Sequence, residues 1–317
     1  MILSAFAVPR AAIAAMPVAL GLSLAVFAAA TATAQTAAKD LFGAASEPAP
    51  LAARAIGSYA RGCLAGARPL PVDGPAWQVM RLSRNRNWGH PQLLGVVERI
   101  ARGAQSEGWN GLLVGDLAQP RGGPMTSGHT SHQIGLDADI WLTPMPDRTL
   151  TYAEREQISA TSMLKKGVRA VDPALWTPRH AALIRRAAKQ PEVARIFVHP
   201  AIKKALCDWA GSDRGWLRTV RPWWGHHYHF HVRIRCPAGS DGCRNQDPPP
   251  AGDGCGTELD WWLSDEPWTP AKPGTTPKPK PPLTMADLPG ECRMLVDASA
   301  AMKAIRNAPT PRQRPMK

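Results

Sequence analysis

Two short segments of this chain alternate in a way that an extended strand satisfies and a helix does not. In 136–141, Leu136, Ala138 and Ile140 fall on one side, with Asp137, Asp139 and Trp141 on the other. In 228–234, Tyr228, Phe230, Val232 and Ile234 oppose His229, His231 and Arg233. Successive side chains of a strand point to opposite faces, so each segment gathers its ionisable groups on one face. Two carboxylates on one side of a strand need a cation or solvent, and two imidazoles two residues apart point into one cavity. His132 precedes the first strand, and Gly135 lets the chain turn so that this imidazole swings back over Asp139. Two histidines and one carboxylate suit a zinc ion with an open fourth position, as in catalytic rather than structural sites. Either pattern alone is weak evidence, and a non-catalytic metal store or a copper site draws on the same ligand types.

Around these segments the spacing predicts helices. Leu93, Val96, Val97, Ile100 and Ala104 recur at helical spacing after Pro91 and before Gly108. Thr177 and Pro178 open a second helix that ends before Pro191, and a third runs from Pro200 to Trp209. Leu112–Val114 and Ile196–Val198 read as short buried strands. Helices interspersed with strands point to an α+β domain: a small antiparallel sheet carrying the metal site, flanked by helices and stapled by disulfides.

Residues 1–34 read as a cleavable export signal, with Arg10, an apolar run from Ala11 to Ala30, and the small-residue site Ala32-Thr33-Ala34 before Gln35. The apolar run approaches the roughly 20 residues that span a bilayer, but its small side chains and Ala-x-Ala ending favour removal over a retained membrane anchor. No cysteine stands near that site to take a lipid. The six cysteines, Cys63, Cys207, Cys236, Cys243, Cys255 and Cys292, are an even number in an oxidising compartment and suggest three disulfides from about 15 possible pairings. A main domain is expected over 50–265, a Pro-rich linker over 266–290, and a disulfide-tethered arm with a basic tail over 291–317. The formal net charge of +13 calls for an anionic partner or simply keeps the chain in solution. Export and the lack of a nucleic-acid motif argue against nucleic acid.

Over 119–124 (QPRGGP), 127–141 (SGHTSHQIGLDADIW) and 222–234 (PWWGHHYHFHVRI) the chain resembles the penicillin-insensitive murein endopeptidases. These lie within a wider group of zinc peptidases that includes lysostaphin-type and D-alanyl-D-alanine carboxypeptidase-type enzymes and hedgehog signalling domains. The resemblance extends over residues 50 to 295. It implies zinc held by His132, Asp139 and His231, with His129 as an accessory ligand or neighbour, His229 as the catalytic histidine and His226 as its helper. His227 has no role in that scheme and is expected to face solvent. The resemblance also implies disulfides Cys63–Cys292, Cys207–Cys255 and Cys236–Cys243. It further implies a periplasmic enzyme acting on the D-alanyl to meso-diaminopimelyl cross-link of peptidoglycan.

In the mechanism this suggests, zinc acidifies a water, neutral His229 relays its proton to the leaving amine, and zinc with a protonated His226 steadies the oxyanion. Trp141, Trp223 and Trp224 are candidates to wall the cleft, and Arg121, Arg214 and Arg221 to clamp a substrate carboxylate. A D,D-carboxypeptidase or dipeptidase at the same site is the nearest alternative. A serine enzyme has only Ser162-Met163-Leu164-Lys165 and Ser83-Arg84-Asn85 in its favour, in the wrong order and without a K-T-G. A basic wall-binding protein without catalysis has no use for an open metal site.

Overall fold

The computed structural model describes residues 36–272, 274 and 280–297. The export signal, the basic tail beyond 297 and part of the Pro-rich stretch lie outside the described residues. Strands run β1 (Arg54–Ser58), β2 (Arg61–Ala65), β3 (Arg68–Pro69), β4 (Asp73–Gly74), β5 (Trp77–Val79), β6 (Trp88–Gly89), β7 (Leu112–Val114), β8 (Asp137–Trp141), β9 (Val193–Val198), β10 (Val220–Pro222) and β11 (His229–Ile234). The helices are α1 (Ala38–Gly43), α2 (Pro91–Ala104), α3 (Tyr152–Gln157), α4 (Pro178–Ala188), α5 (Pro200–Trp209) and α6 (Thr257–Leu263).

The fold is α+β. Its central sheet has seven strands in the order β10-β9-β11-β8-β7-β5-β4. The sheet is larger than the strand patterns suggest and mixed, because β10 pairs parallel with β9 and β5 parallel with β7. Its middle, β9, β11, β8 and β7, is antiparallel. β8 and β11 meet in the register His231 opposite Asp139, Arg233 opposite Asp137 and His229 opposite Trp141, which brings both polar faces to one side. On the other side Phe230, Val232, Ala138 and Ile140 are fully buried in the main core with α2 and α4. α2 presents Leu93, Val96, Val97 and Ile100 to that core, and its chain is turned away by Gly108 at φ 82°.

The polar side of this strand pair is buried too. Fully burying a Phe side chain such as Phe230 gains about 1.5–3 kcal/mol, whereas an ionised group buried without a partner costs several kcal/mol. The polar side is therefore tolerable only where its charges are matched.

A second core forms where segments near the two limits of the described residues meet. Phe42 of α1, Ile56 and Cys63 of the β1–β2 hairpin, and Met285, Leu288, Cys292 and Leu295 pack together. Ala38 N–H donates to Leu283 O at 2.8 Å. The body thus starts before residue 50 and takes in the C-terminal arm, which Cys63–Cys292 ties down; the other disulfides are Cys207–Cys255 and Cys236–Cys243.

Candidate metal centre

The turn into β8 sets the first histidines. His132 sits at φ 67° and its backbone N–H donates to Asp137 Oδ2 at 2.9 Å. Gly135 follows at φ 68°, where an added Cβ would lie 2.3 Å from Leu64, so only glycine lets this turn close against the hairpin. The fully buried His132 ring donates from Nδ1 to the carbonyl oxygen of Leu117 at 2.8 Å, since a carbonyl can only accept. That leaves a lone pair on Nε2, which lies 3.4 Å from Asp139 Oδ1. From β11, His231 donates from Nε2 to Asp137 Oδ1 at 2.8 Å, and its Nδ1 lies 3.2 Å from the same Asp139 oxygen; burial works against its charged form, but Asp137 and Asp139 outweigh it and raise its pKa.

Two imidazole nitrogens therefore converge on one carboxylate oxygen. His132 Nε2 and Asp139 Oδ1 are buried without a hydrogen-bond partner among the described residues. A bound cation would partner both, and imidazole with carboxylate is a donor set for a divalent transition metal. His129 completes the cluster: its ligand atom and those of His132 and Asp139 lie within 4.8 Å of one another. His129 Nε2 is held by Asp116 Oδ2 at 3.0 Å, which leaves Nδ1 3.5 Å from Asp139 Oδ2.

The supporting carboxylates divide the work. Asp137, on the same face as Asp139, bonds His231 and pairs with Arg233 at 2.7 Å. Burial pushes the Asp137 carboxyl up, but Arg233 and His231 overcome it and hold it far below the usual range. Asp116 is pushed up by burial and brought down to about 2 by His129, Arg84 and Arg86. Burial likewise works against ionised Asp139, and His229 and His132 hold it well below its ordinary value. Such outer partners fix ring orientation and ligand basicity. Sequence reasoning missed Asp116, a single carboxylate after β7 with no spacing signal.

The remaining histidines separate. His229 lies with Nε2 3.6 Å from Asp139 Oδ2, and burial, against the pull of Asp139, lowers its pKa to about 4. His226, at φ 51°, packs its ring tilted against that of His229 at 4.8 Å and bonds through Nδ1 to Trp224 O at 2.7 Å. Burial, then His231 and His229, push His226 down to about 3. Burial thus disfavours the protonated form in which it would steady an oxyanion. His227 is not solvent-facing: half-buried, it bonds Ser162 Oγ at 2.9 Å and its carbonyl accepts from Met163 N–H. That bond occupies the serine of the S-x-x-K.

Two cavities flank the centre. One of about 300 Å³ is lined by Arg81, Arg84, Asp139, Trp141, Tyr228 and His229. The other, about 540 Å³, is lined by Phe197, Trp223, Trp224, His226, His231 and Trp262. His129 borders both. The tryptophans expected to wall a cleft do so, but two of the three expected arginine clamps do not. Arg121 is buried and donates to the carbonyls of Glu47 and Leu295, and Arg214 binds Asp253 and the Cys207 carbonyl. Arg221 borders the larger cavity but is paired with Glu258.

Residues 55–297 match the model of the penicillin-insensitive murein endopeptidase family. Proteins of that name from Haemophilus influenzae, Klebsiella pneumoniae and Yersinia enterocolitica are similar to this chain. The Haemophilus protein is 48% identical over 72% of this chain and 78% of its own length. The Klebsiella protein is 44% identical over 80% and 89%, and the Yersinia protein 48% over 74% and 84%. The chain belongs to this family and is a peptidase, a hydrolase of the metallo class.

Proposed function

We propose that this member of the family is a zinc-dependent murein endopeptidase that hydrolyses the D-alanyl to meso-diaminopimelyl cross-link of peptidoglycan in the periplasm. His132, Asp139 and His231 hold the metal, with His129 as a fourth donor or close neighbour. Zinc is the metal that two or three imidazoles and one carboxylate suit best. Export by the N-terminal signal fits a chain rich in disulfides, and no helix among the described residues is long and apolar enough to cross a membrane.

The observation that carries the endopeptidase reading is the pair of cavities, one on each side of the metal donors. A peptide bond between two stems has bulk on both sides, and a cleft open both ways receives it. An enzyme that trims a terminal residue needs a wall on one side.

Zinc bound here supplies Lewis acidity toward the scissile carbonyl and lowers the pKa of a water it binds to about 7. His229 handles the protons. Burial keeps it neutral at pH 7, and its Nε2, 3.6 Å from Asp139 Oδ2, is the nitrogen that faces the metal donors and can take a proton from attacking water. Returning that proton to the departing amine completes the hydrolysis and restores neutral His229. His226 packs against the His229 ring and holds its orientation.

Incubating the purified protein with cross-linked muropeptide dimers, before and after chelation and zinc readdition, tests the reading. Monomers are expected, their formation stopped by chelation and restored by zinc. Free D-alanine without monomers would make the protein a carboxypeptidase, and cleavage indifferent to thorough metal removal would overturn the mechanism.

A further inference from the structure

The four non-glycine residues with positive φ among the described residues are Arg81, Asn85, His132 and His226. His132 is a metal donor and His226 borders the cleft. The other two bracket the single turn Leu82–Arg84, at φ 58° and 50°. Strained backbone of this kind persists where a function requires it. Asn85 is pinned by Trp88 Nε1 at 2.7 Å and by its own bond to Ser46 O at 3.1 Å, so the turn is held by its surroundings. The strained turn delivers two guanidiniums, Arg81 and Arg84, to the wall of the smaller cavity.

Arg84 is redundant for structure. Asp116 Oδ2 already receives the buried Arg86 Nη1 at 2.9 Å and His129 at 3.0 Å, and Arg86 also reaches Ser127. Arg84 adds a third contact to the same oxygen at 3.0 Å while 46% of its side chain stays exposed. Arg81 donates to the carbonyls of Arg155 and Glu156 and lies 5.4 Å over the Trp141 ring. The Glu156 carboxylate is turned to Ser83, bonding its N–H at 2.9 Å and its hydroxyl at 2.8 Å. Three guanidiniums thus meet two carboxylates, Asp116 and Glu156, while Asp139 is committed to the metal donors. The exposed part of Arg84 keeps planar donors free at this wall, the recognition chemistry of a carboxylate.

We propose that Arg84, backed by Arg81, forms a carboxylate subsite that reads a free carboxylate on the substrate residue supplying the scissile nitrogen. The side follows from His229, which borders this cavity and hands its proton to the leaving amine. The amine half of the substrate lies here, and the acyl half lies over His226 and the tryptophans. The inference rests on the endopeptidase reading above.

The test uses two synthetic cross-linked peptides that differ only in that group, carboxylate in one and primary amide in the other. Wild-type protein should favour the acid in kcat/KM by about tenfold or more, the worth of one charge-assisted contact. Arg84→Ala should bring the ratio close to one, and Arg84→Lys should restore part of it. Because the readout is a ratio within one protein, partial unfolding or metal loss cannot mimic it. A wild-type ratio near one, or a ratio that Arg84→Ala leaves intact, overturns the subsite. Metal-replete wild-type protein that cleaves neither peptide nor murein dimers overturns the endopeptidase reading, and the subsite with it.

Discussion

At the first turns of α2, α4 and α5 stand His90, His180 and His199; across the polar face of β8 and β11 stand His132, His229 and His231. All six are buried, and a lowered pKa does not by itself mark the site, since burial takes both His199 and His229 down to about 4. The difference lies in what each ring nitrogen meets. His90 Nδ1 accepts from Gln92 N–H, His199 Nδ1 from Ala201 N–H and His180 Nδ1 from Thr177 N–H, at 3.1 to 3.2 Å. Each helix N-terminus brings spare N–H groups, so these imidazoles are satisfied as caps. In the sheet, His132 Nε2 and His231 Nδ1 instead converge on one carboxylate oxygen of Asp139, at 3.4 and 3.2 Å. A buried histidine is thus a functional candidate when it converges with another on a shared carboxylate, and a structural one when it caps a backbone N–H.

The sharpest way to break this contrast is to remove the shared carboxylate. Asp139→Ala should abolish stoichiometric metal, read by elemental analysis, and lower murein cleavage by about 10³-fold or more. The far-ultraviolet circular dichroism should stay native because the apolar side of β8 is untouched. Metal retained at one equivalent would mean that the convergence on Asp139 is not the binding site. Next in size is His229→Ala, which should keep the metal and lose about 10²–10⁴ in kcat. Loss of metal instead would move His229 from proton transfer into the ligand set, and full activity would remove it from both.

Much of this contrast was legible in the residues. Strand alternation at 136–141 and 228–234 put His229, His231, Asp137 and Asp139 on polar faces, and Pro91, Pro178 and Pro200 marked three helix starts where the structure has them. Alternation could not say which carboxylate joins the cluster of histidine nitrogens, because Asp137 and Asp139 share a face. That depends on the register with β11, which sets Asp137 against Arg233, a pairing across 96 residues. Arg121 sits in a conspicuous motif yet is spent on carbonyls from both ends of the chain, Glu47 and Leu295, which no local pattern foretells. Residues 36–49 fell outside the expected domain for the same reason: their partner is the C-terminal arm. Sequence patterns reported what neighbours along a strand or helix share, and missed what distant segments bring to each other.

The cap histidines supply the smallest and most discriminating test. His199 has its pKa lowered from 6.5 to about 4, first by burial and then by the charges of His227 and Arg169. Between those values the unfolded chain binds a proton that the folded protein refuses. This contribution to stability is therefore complete above about pH 6.5 and drains away as the pH falls toward 4. His199→Asn keeps an acceptor at a cap position that Asn favours, but does not titrate. The two proteins should unfold in urea within about 1 kcal/mol of each other at pH 7. At pH 5 the variant should have gained about 2 kcal/mol relative to the parent. Working in the Asp139→Ala background keeps acid-driven metal loss out of the comparison. Parallel pH profiles would show that His199 is no buried neutral cap. A variant that also lost metal or activity in the otherwise native protein would show that the helix-end histidines and the cleft histidines are coupled after all.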